Sequence, residues 1–369
     1  MVKVYMLPAG RGDFLIIEFL DELGEHYIFI DGGDKSVATL YKSALTWVKK
    51  KNKCIDAIIF THNDDDHICG ALCAIMNMKG MPVIKKIYFI LGRTIQKRFH
   101  LKSEAAYPET EEKEYLHVRS VQHSTKRALT LDEGLKAMGL EKQMEDCVCM
   151  GDVIPIGRAQ IKIISPGPKE LEEYLNKWNQ EIKEVEKKSH SAGKAESKMD
   201  LSYYAIEPEQ RDGSVSNGSS IAFLFEYDEV RLAFLGDAHA EVCAEGLSKF
   251  YPSTVKTDMV KVSHHGSKYS YSDKLYQLLQ TNYYLLSTKG TVKHPSPVFL
   301  GKLLGQNQSA QIICNGQWIK GYGFSEEDAR RYVSGKSPHI YQLRGKKIIS
   351  PKLAVYGKFP DEELSHTEG

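Results

Sequence analysis

Four residues able to hold metal ions crowd into six positions: His62, Asp64, Asp66 and His67, in the run Thr61-His62-Asn63-Asp64-Asp65-Asp66-His67. A solvated acidic loop has no need of histidine at both ends. Two divalent ions, by contrast, need this mixture of imidazole nitrogen and carboxylate oxygen. The run follows Ile55–Phe60, an apolar stretch of strand length, and precedes a helix-like segment over 68–78. It is therefore expected on a strand-to-helix loop, where several side chains can be fanned toward one point. Other candidates sit at comparable places: Asp237 after the strand pattern 230–235, His264 and His265 after 259–263, and His294 in the loop beyond 283–287. Each follows the C-terminal end of an expected strand, so one edge of a layered fold can collect them all.

Thr-His-x-Asp-x-Asp-His after a hydrophobic strand resembles the metal-binding motif of the metallo-β-lactamase superfamily, in the variant with Asp for the second His. That variant is similar to the metallo-β-lactamase-type domain of ComEC, the bacterial DNA-uptake channel protein. Further residues match in chain order: Ala9-Gly10-Arg11-Gly12-Asp13, Ile30-Asp31-Gly32-Gly33, Asn217 and Ser220, Leu235-Gly236-Asp237, Ser263-His264-His265-Gly266-Ser267 and His294-Pro295. Together they run from about residue 2 to about residue 345.

The resemblance implies an α/β (α+β) fold, a four-layer αββα sandwich with the ions at one edge. It implies His62 and Asp64 on one ion, Asp66, His67 and His264 on the other, and Asp237 bridging the two. Asp66 is further expected to orient the nucleophile, and His265 and His294, with Lys289 and Lys293, are candidates to serve the leaving oxygen. Asp31 and Asp13 are expected to orient ligand histidines from behind. A third histidine that many members carry in the loop corresponding to Ser165-Pro166 is missing here. Four histidine or thiolate ligands would favour zinc, while this oxygen-weighted set leaves room for manganese or magnesium; two divalent ions, zinc or manganese with magnesium possible, are expected. The implied activity is hydrolysis by a dinuclear metal-activated water, on a phosphodiester and as a nuclease, with nucleic acid or nucleotide as substrate. The alternatives are a small-molecule hydrolase, acting on a cyclic nucleotide, lactone or thioester, or a binding subunit of a bacterial defence system.

Size and composition frame these readings. With 369 residues and 42% hydrophobic content the chain can bury a large core. The motif order argues for one domain over 1–350 with insertions at about 92–146 and 167–216, and a partly disordered tail over 351–369. A net charge of +1 lacks the basic footprint of tight non-specific nucleic-acid binding, so any such contact must come from a local patch. The first insertion offers Arg93, Lys97, Arg98, His100, Lys102, Arg119, Lys126 and Arg127 with Phe99, Tyr107 and Tyr115, but Glu104, Glu109, Glu111, Glu112 and Glu114 lie among them. It reads either as a substrate-facing flap or as a solvated helical insertion. Residues 169–188 read as a helix with an apolar stripe, and 189–216 as a mobile polar loop. Seven cysteines, an odd number, do not make a disulfide framework, and a reducing cytoplasm fits them. Cys147-x-Cys149 reads as a buried strand pair. No leader and no membrane-spanning stretch is evident, so no membrane is expected, and the channel that accompanies this domain in ComEC is expected to be absent. Protein partners are not specified by the sequence.

Overall fold

The computed structural model describes residues 1–101, 124–144, 146–183, 200–291, 293–334 and 337–359. Strands β1 (Val2–Met6), β2 (Leu15–Asp21) and β3 (Gly24–Ile30) form an antiparallel meander. After α1 (Ala38–Lys50) comes β4 (Ile55–Phe60), and after α2 (Asp65–Met76) comes β5 (Ile84–Phe89), both added in parallel. Helices α3 (Gly92–Arg98) and α4 (Ser124–Ala137) precede the hairpin of β6 (Val153–Ile156) and β7 (Ala159–Ser165). Helix α5 (Pro168–Lys183) and the single turns α6 (Leu201–Tyr204) and α7 (Val215–Gly218) lead to β8 (Ala222–Tyr227) and β9 (Val230–Phe234). The chain continues through α8 (Ala240–Phe250), β10 (Val255–Lys256), β11 (Met259–Lys261), α9 (Asp273–Leu278), β12 (Leu279–Gln280) and β13 (Tyr283–Leu286). It ends with α10 (Pro297–Gln306), β14 (Gln311–Cys314), β15 (Ile340–Gln342), β16 (Lys346–Ser350) and β17 (Leu353–Tyr356).

One sheet has the order β16-β17-β1-β2-β3-β4-β5 and the other β15-β14-β13-β11-β9-β8-β7-β6, while β10 and β12 pair apart. Central strands face a sheet on one side and helices on the other, which is why they read as apolar runs without alternation. All six residues of β4 are buried. Between the sheets, Phe19 meets Phe225 at 5.4 Å and Tyr227 at 4.9 Å between ring centroids. Outside the first sheet, Trp47 of α1 stands edge-on to Tyr5 and Tyr27, at 5.4 and 5.3 Å. Outside the second, Leu247, Leu275, Phe299 and Leu303 of α8, α9 and α10 pack with Val260 and Tyr284. This is the expected αββα sandwich. At the edge carrying the motifs the sheets are stitched together: Ile221 N donates to Thr61 O at 2.8 Å, Ser287 Oγ to Gly12 O at 2.7 Å, and Asn315 Nδ2 to Leu7 O at 2.7 Å.

Several expectations change. Residues 353–356, expected in the tail, are β17, laid parallel beside β1, and Phe359 is buried 5.1 Å from the Trp47 ring. An apolar run of four residues was too short to announce a strand on its own. Residues 360–369 lie outside the described residues. β14 is an inner strand, between β15 and β13, whereas its apolar run and that of 340–343 suggest edge strands closing the second sheet. The expected polar loop is anchored from 200 onward: Leu201 and Tyr204 are buried, and Gly301 of α10 lets α6 approach so closely that a Cβ there would lie 2.3 Å from Leu201 O. Residues 184–199 lie outside the described residues. In α5 the stripe Leu171, Tyr174, Leu175 and Trp178 is buried as expected. Cys147 and Cys149 are buried, but in an extended loop before β6 where no neighbouring strand pairs with them. All seven cysteines are free. Of the first insertion, Lys102, Glu104, Tyr107, Glu109, Glu111, Glu112, Glu114, Tyr115 and Arg119 lie outside the described residues.

Candidate metal centre

The motif after β4 is part loop and part helix. Asp64 holds an extended conformation at the N-cap of α2, and Asp65 and Asp66 occupy its first turn. Carboxylates are favoured there by the unpaired N–H groups and positive end of the helix dipole, so the helix starts three residues earlier than its apolar pattern. After β11 the chain makes a rarer turn. His264, His265 and Gly266 have φ of 45°, 52° and 73°. The left-handed region costs a residue with a Cβ roughly 1–2 kcal/mol, and such strain marks functional segments. Its effect here is to turn two adjacent imidazoles toward the same edge. Gly236 is likewise left-handed, with φ of 50°, and a Cβ there would lie 2.5 Å from Ser220 Oγ. That close approach directs Asp237 inward.

Asp237, 4% exposed, is the hub. Its Oδ1 lies 3.4 Å from His67 Nε2 and 3.6 Å from His265 Nε2. Its Oδ2 lies 3.8 Å from His62 Nε2 and 3.7 Å from His264 Nε2. Asp64 Oδ2 stands 3.7 Å from His62 Nε2, and Asp66 Oδ2 stands 3.9 Å from His265 Nε2. The candidates thus divide into two groups, one on each oxygen of Asp237.

All four imidazoles are held from behind through Nδ1. His67 Nδ1 pairs with Asp31 Oδ2 at 2.8 Å, and that carboxylate also accepts Thr61 N and Thr61 Oγ1, both at 2.7 Å. His62 Nδ1 lies 3.2 Å from Thr61 Oγ1, whose own proton goes to Asp31. His265 Nδ1 faces Ser287 O at 2.9 Å, and a carbonyl can only accept, so this ring carries its proton on Nδ1. His264 Nδ1 lies 3.2 Å from Asp212 Oδ2. A ring whose proton is fixed on Nδ1 can present its Nε2 lone pair to an ion on the Asp237 side.

Behind His265 lies a buried ion pair. Lys261 bonds Asp13, both 1% exposed, and its Nζ also donates to Gly236 O at 3.3 Å. Asp13 Oδ1 is 3.6 Å from His265 Nδ1. Burial pushes the Asp237 carboxyl up, but His265, His67 and His264 outweigh it and hold it well below the usual carboxylate range. His294, before a cis peptide bond to Pro295, sets its ring 4.8 Å from that of His264. Burial, then the neighbouring His264, push its imidazole down to about 4.

These distances revise one expectation. His265, not His264, stands with Asp66 and His67, and His264 stands on the side of His62. The reason is the left-handed turn, which sends the two rings to opposite oxygens of Asp237. His264 thereby occupies the side left without a histidine at Ser165-Pro166. Asp212 and Lys261 were missed as partners of the site. Asp212 gives no local signal within a polar segment. Lys261 gave one: a lysine inside a buried strand needs a buried partner.

The donor set fits divalent cations. His62 Nε2, Asp237 Oδ1 and Asp13 Oδ1 are buried and make no hydrogen bond, and His67 Nε2 lies only 3.2 Å from His265 Nε2. Buried polar atoms left this way call for an ion or water between them.

No protein-family model matches the chain. A stretch of 118 residues, 32% of this chain, is 30% identical to ComE operon protein 3 of Bacillus subtilis (strain 168), and spans only 15% of that protein's length. Among solved structures, the metallo-beta-lactamase fold protein YhfI from Bacillus subtilis is similar at a TM-score of 0.40 and 9% identity, covering 91% of this chain and 97% of that one. CmlA, a diiron beta-hydroxylase from Streptomyces venezuelae, is similar at 0.37 and 10% identity, covering 84% and 52%. Among the described residues no helix is long and apolar enough to cross a membrane.

Proposed function

We propose that the protein is a metal-dependent hydrolase of phosphodiesters, with nucleic acid as its substrate. The observation that carries this is the convergence of four Nδ1-tethered histidines on the two oxygens of one buried aspartate, flanked by two more carboxylates. His62, Asp64, His264 and Asp237 Oδ2 would hold one ion, and Asp66, His67, His265 and Asp237 Oδ1 the other. Two divalent ions so held supply a water of lowered pKa and offset the charge that grows on an attacked phosphorus.

The remaining roles belong to side chains of this chain. Asp66, whose side chain is 27% exposed, is reachable from solvent and would orient and accept a proton from the attacking water. His294, whose imidazole is pushed down to about 4 by burial and the neighbouring His264, would offer a ring N–H to the leaving oxygen. The resemblance of the motifs to a DNA-uptake protein favours a nucleic acid, and the free cysteines suit a reducing compartment.

The test is hydrolysis by purified protein with manganese, zinc or magnesium, using single- and double-stranded DNA, RNA, cyclic nucleotides and bis-p-nitrophenyl phosphate. An Asp64→Ala/His67→Ala double variant serves as control. Cleavage of a polymer by the wild type alone supports the reading. Turnover of only small diesters moves it to a nucleotide phosphodiesterase, and silence on every diester with metal bound refutes it.

A further inference from the structure

We propose that Arg11, Arg127 and Lys289 form an anion-binding rim beside the metal loop, fitted to a phosphate neighbouring the scissile one in a nucleic-acid backbone. This rests on the hydrolase reading above and specifies its substrate as one carrying at least two phosphates.

Three distant chain segments meet at this rim. Gly12 is pressed so closely on the motif that a Cβ there would lie 1.6 Å from Asp66 O, which brings Arg11 alongside the metal loop. Lys289, in the loop after β13, donates its N–H to Gly10 O at 2.9 Å in the same turn. From α4, Arg127 pairs with Asp65, the residue between Asp64 and Asp66, and its Nη1 lies 3.9 Å from Cys69 Sγ.

The charges around the rim are unevenly matched. Asp34, beside Arg11 and Lys289, is already engaged: it accepts Ser36 N at 2.9 Å, Ser36 Oγ, and Arg11 N at 3.2 Å. Lys289 Nζ stands 3.9 Å from it, with a side chain 57% exposed. The Arg11 guanidinium has no ion pair among the described residues. Arg127 is only 22% exposed at its side chain; burial opposes its charge most, the Asp64 carboxylate favours it, and Arg11 opposes it to a smaller extent. An anion shared by these two guanidinium groups would add to what Asp64 and Asp65 already supply on the Arg127 side and would give Arg11 its counter-charge. A phosphate supplies that anion, because its oxygens match the planar fork of arginine and it brings charge that neither Asp34 nor Asp65 can add. The rim flanks Asp64, Asp65 and Asp66, so the anion it binds lies next to the phosphorus under attack.

Two variants test this, Arg11→Gln, whose side chain is exposed, and Arg127→Lys, which keeps the charge but loses the fork. With ions removed by EDTA, anisotropy of a labelled single-stranded oligonucleotide should show binding that weakens with salt. Arg11→Gln should weaken it about tenfold and reduce the salt slope by about one contact. With metal restored, the rise in KM of each variant should be at least about fivefold larger on the oligonucleotide than on bis-p-nitrophenyl phosphate. Equal losses on both substrates, or an unchanged oligonucleotide KM, would overturn the rim. Oligonucleotide binding that depends on Arg11 in a wild type inactive on every diester would uphold the rim and overturn the hydrolase reading instead.

Discussion

Replacing Lys261 by methionine keeps the length and most of the volume of the side chain but removes its charge. The consequence falls on Asp13, because both residues are 1% exposed and Lys261 bonds Asp13 directly. Without it, the contact left to Asp13 is His265 Nδ1 at 3.6 Å, whose N–H is already given to Ser287 O, and its carboxylate sits within 4.8 Å of that of Asp237, a second negative charge. Removing one member of a buried ion pair typically costs about 3–5 kcal/mol, since the other charge stays desolvated and unpaired. That is a large fraction of a total stability of roughly 5–15 kcal/mol. Removing both charges is different. Lys261→Met combined with Asp13→Asn leaves no buried charge, and the pair should lie within about 1–2 kcal/mol of the wild type. Urea unfolding of the four proteins of the cycle, followed by circular dichroism in EDTA so that metal binding does not enter, gives the coupling energy. A coupling of about 2 kcal/mol or more is expected. A Lys261→Met protein within about 1 kcal/mol of wild type, or a double variant as unstable as the sum of the singles, would refute the reasoning.

Asp31→Asn keeps an acceptor oxygen for Thr61 N but replaces the oxygen that serves Thr61 Oγ1 and His67 Nδ1 with an amide N–H set against the ring. Affinity for manganese, measured by titration calorimetry, should fall about 10–100-fold; an unchanged affinity would show that this tether does not set the ligand. Far from the site, burial raises the Glu226 carboxyl, but bonds from Lys162, Tyr251 and Arg231 outweigh it and hold it below its ordinary value of 4.5. A lowered folded pKa means stability that is present above the unfolded value and lost as pH falls through the folded one. The stability gap between wild type and Glu226→Gln should therefore be largest near neutral pH and shrink as pH drops from about 5 toward about 3. A gap independent of pH would mean that the lysine and arginine contacts do not favour the ionised form.

What the sequence determined by itself was the chemistry and its address. The ligand types of His62, Asp64, Asp66, His67 and Asp237 are written locally, and the apolar runs before them announce strand ends, because burial on both faces leaves no alternation to misread. The four layers were implied by the resemblance of those motifs to the metallo-β-lactamase superfamily, and the order of strands and helices agrees with it. Tertiary structure alone decided the rest. Leu353–Tyr356 is too short to declare itself and becomes a strand only because β1 offers an unpaired edge. His264 and His265 are chemically identical neighbours, so no local pattern distinguishes them. Their division between the two oxygens of Asp237 depends on a left-handed turn, on Ser287 O from 22 positions away and on Asp212 from 52 positions away. Hydrogen-bond partners so distant in the chain meet only when the sheets close on one another, and that closure gives each ring its direction.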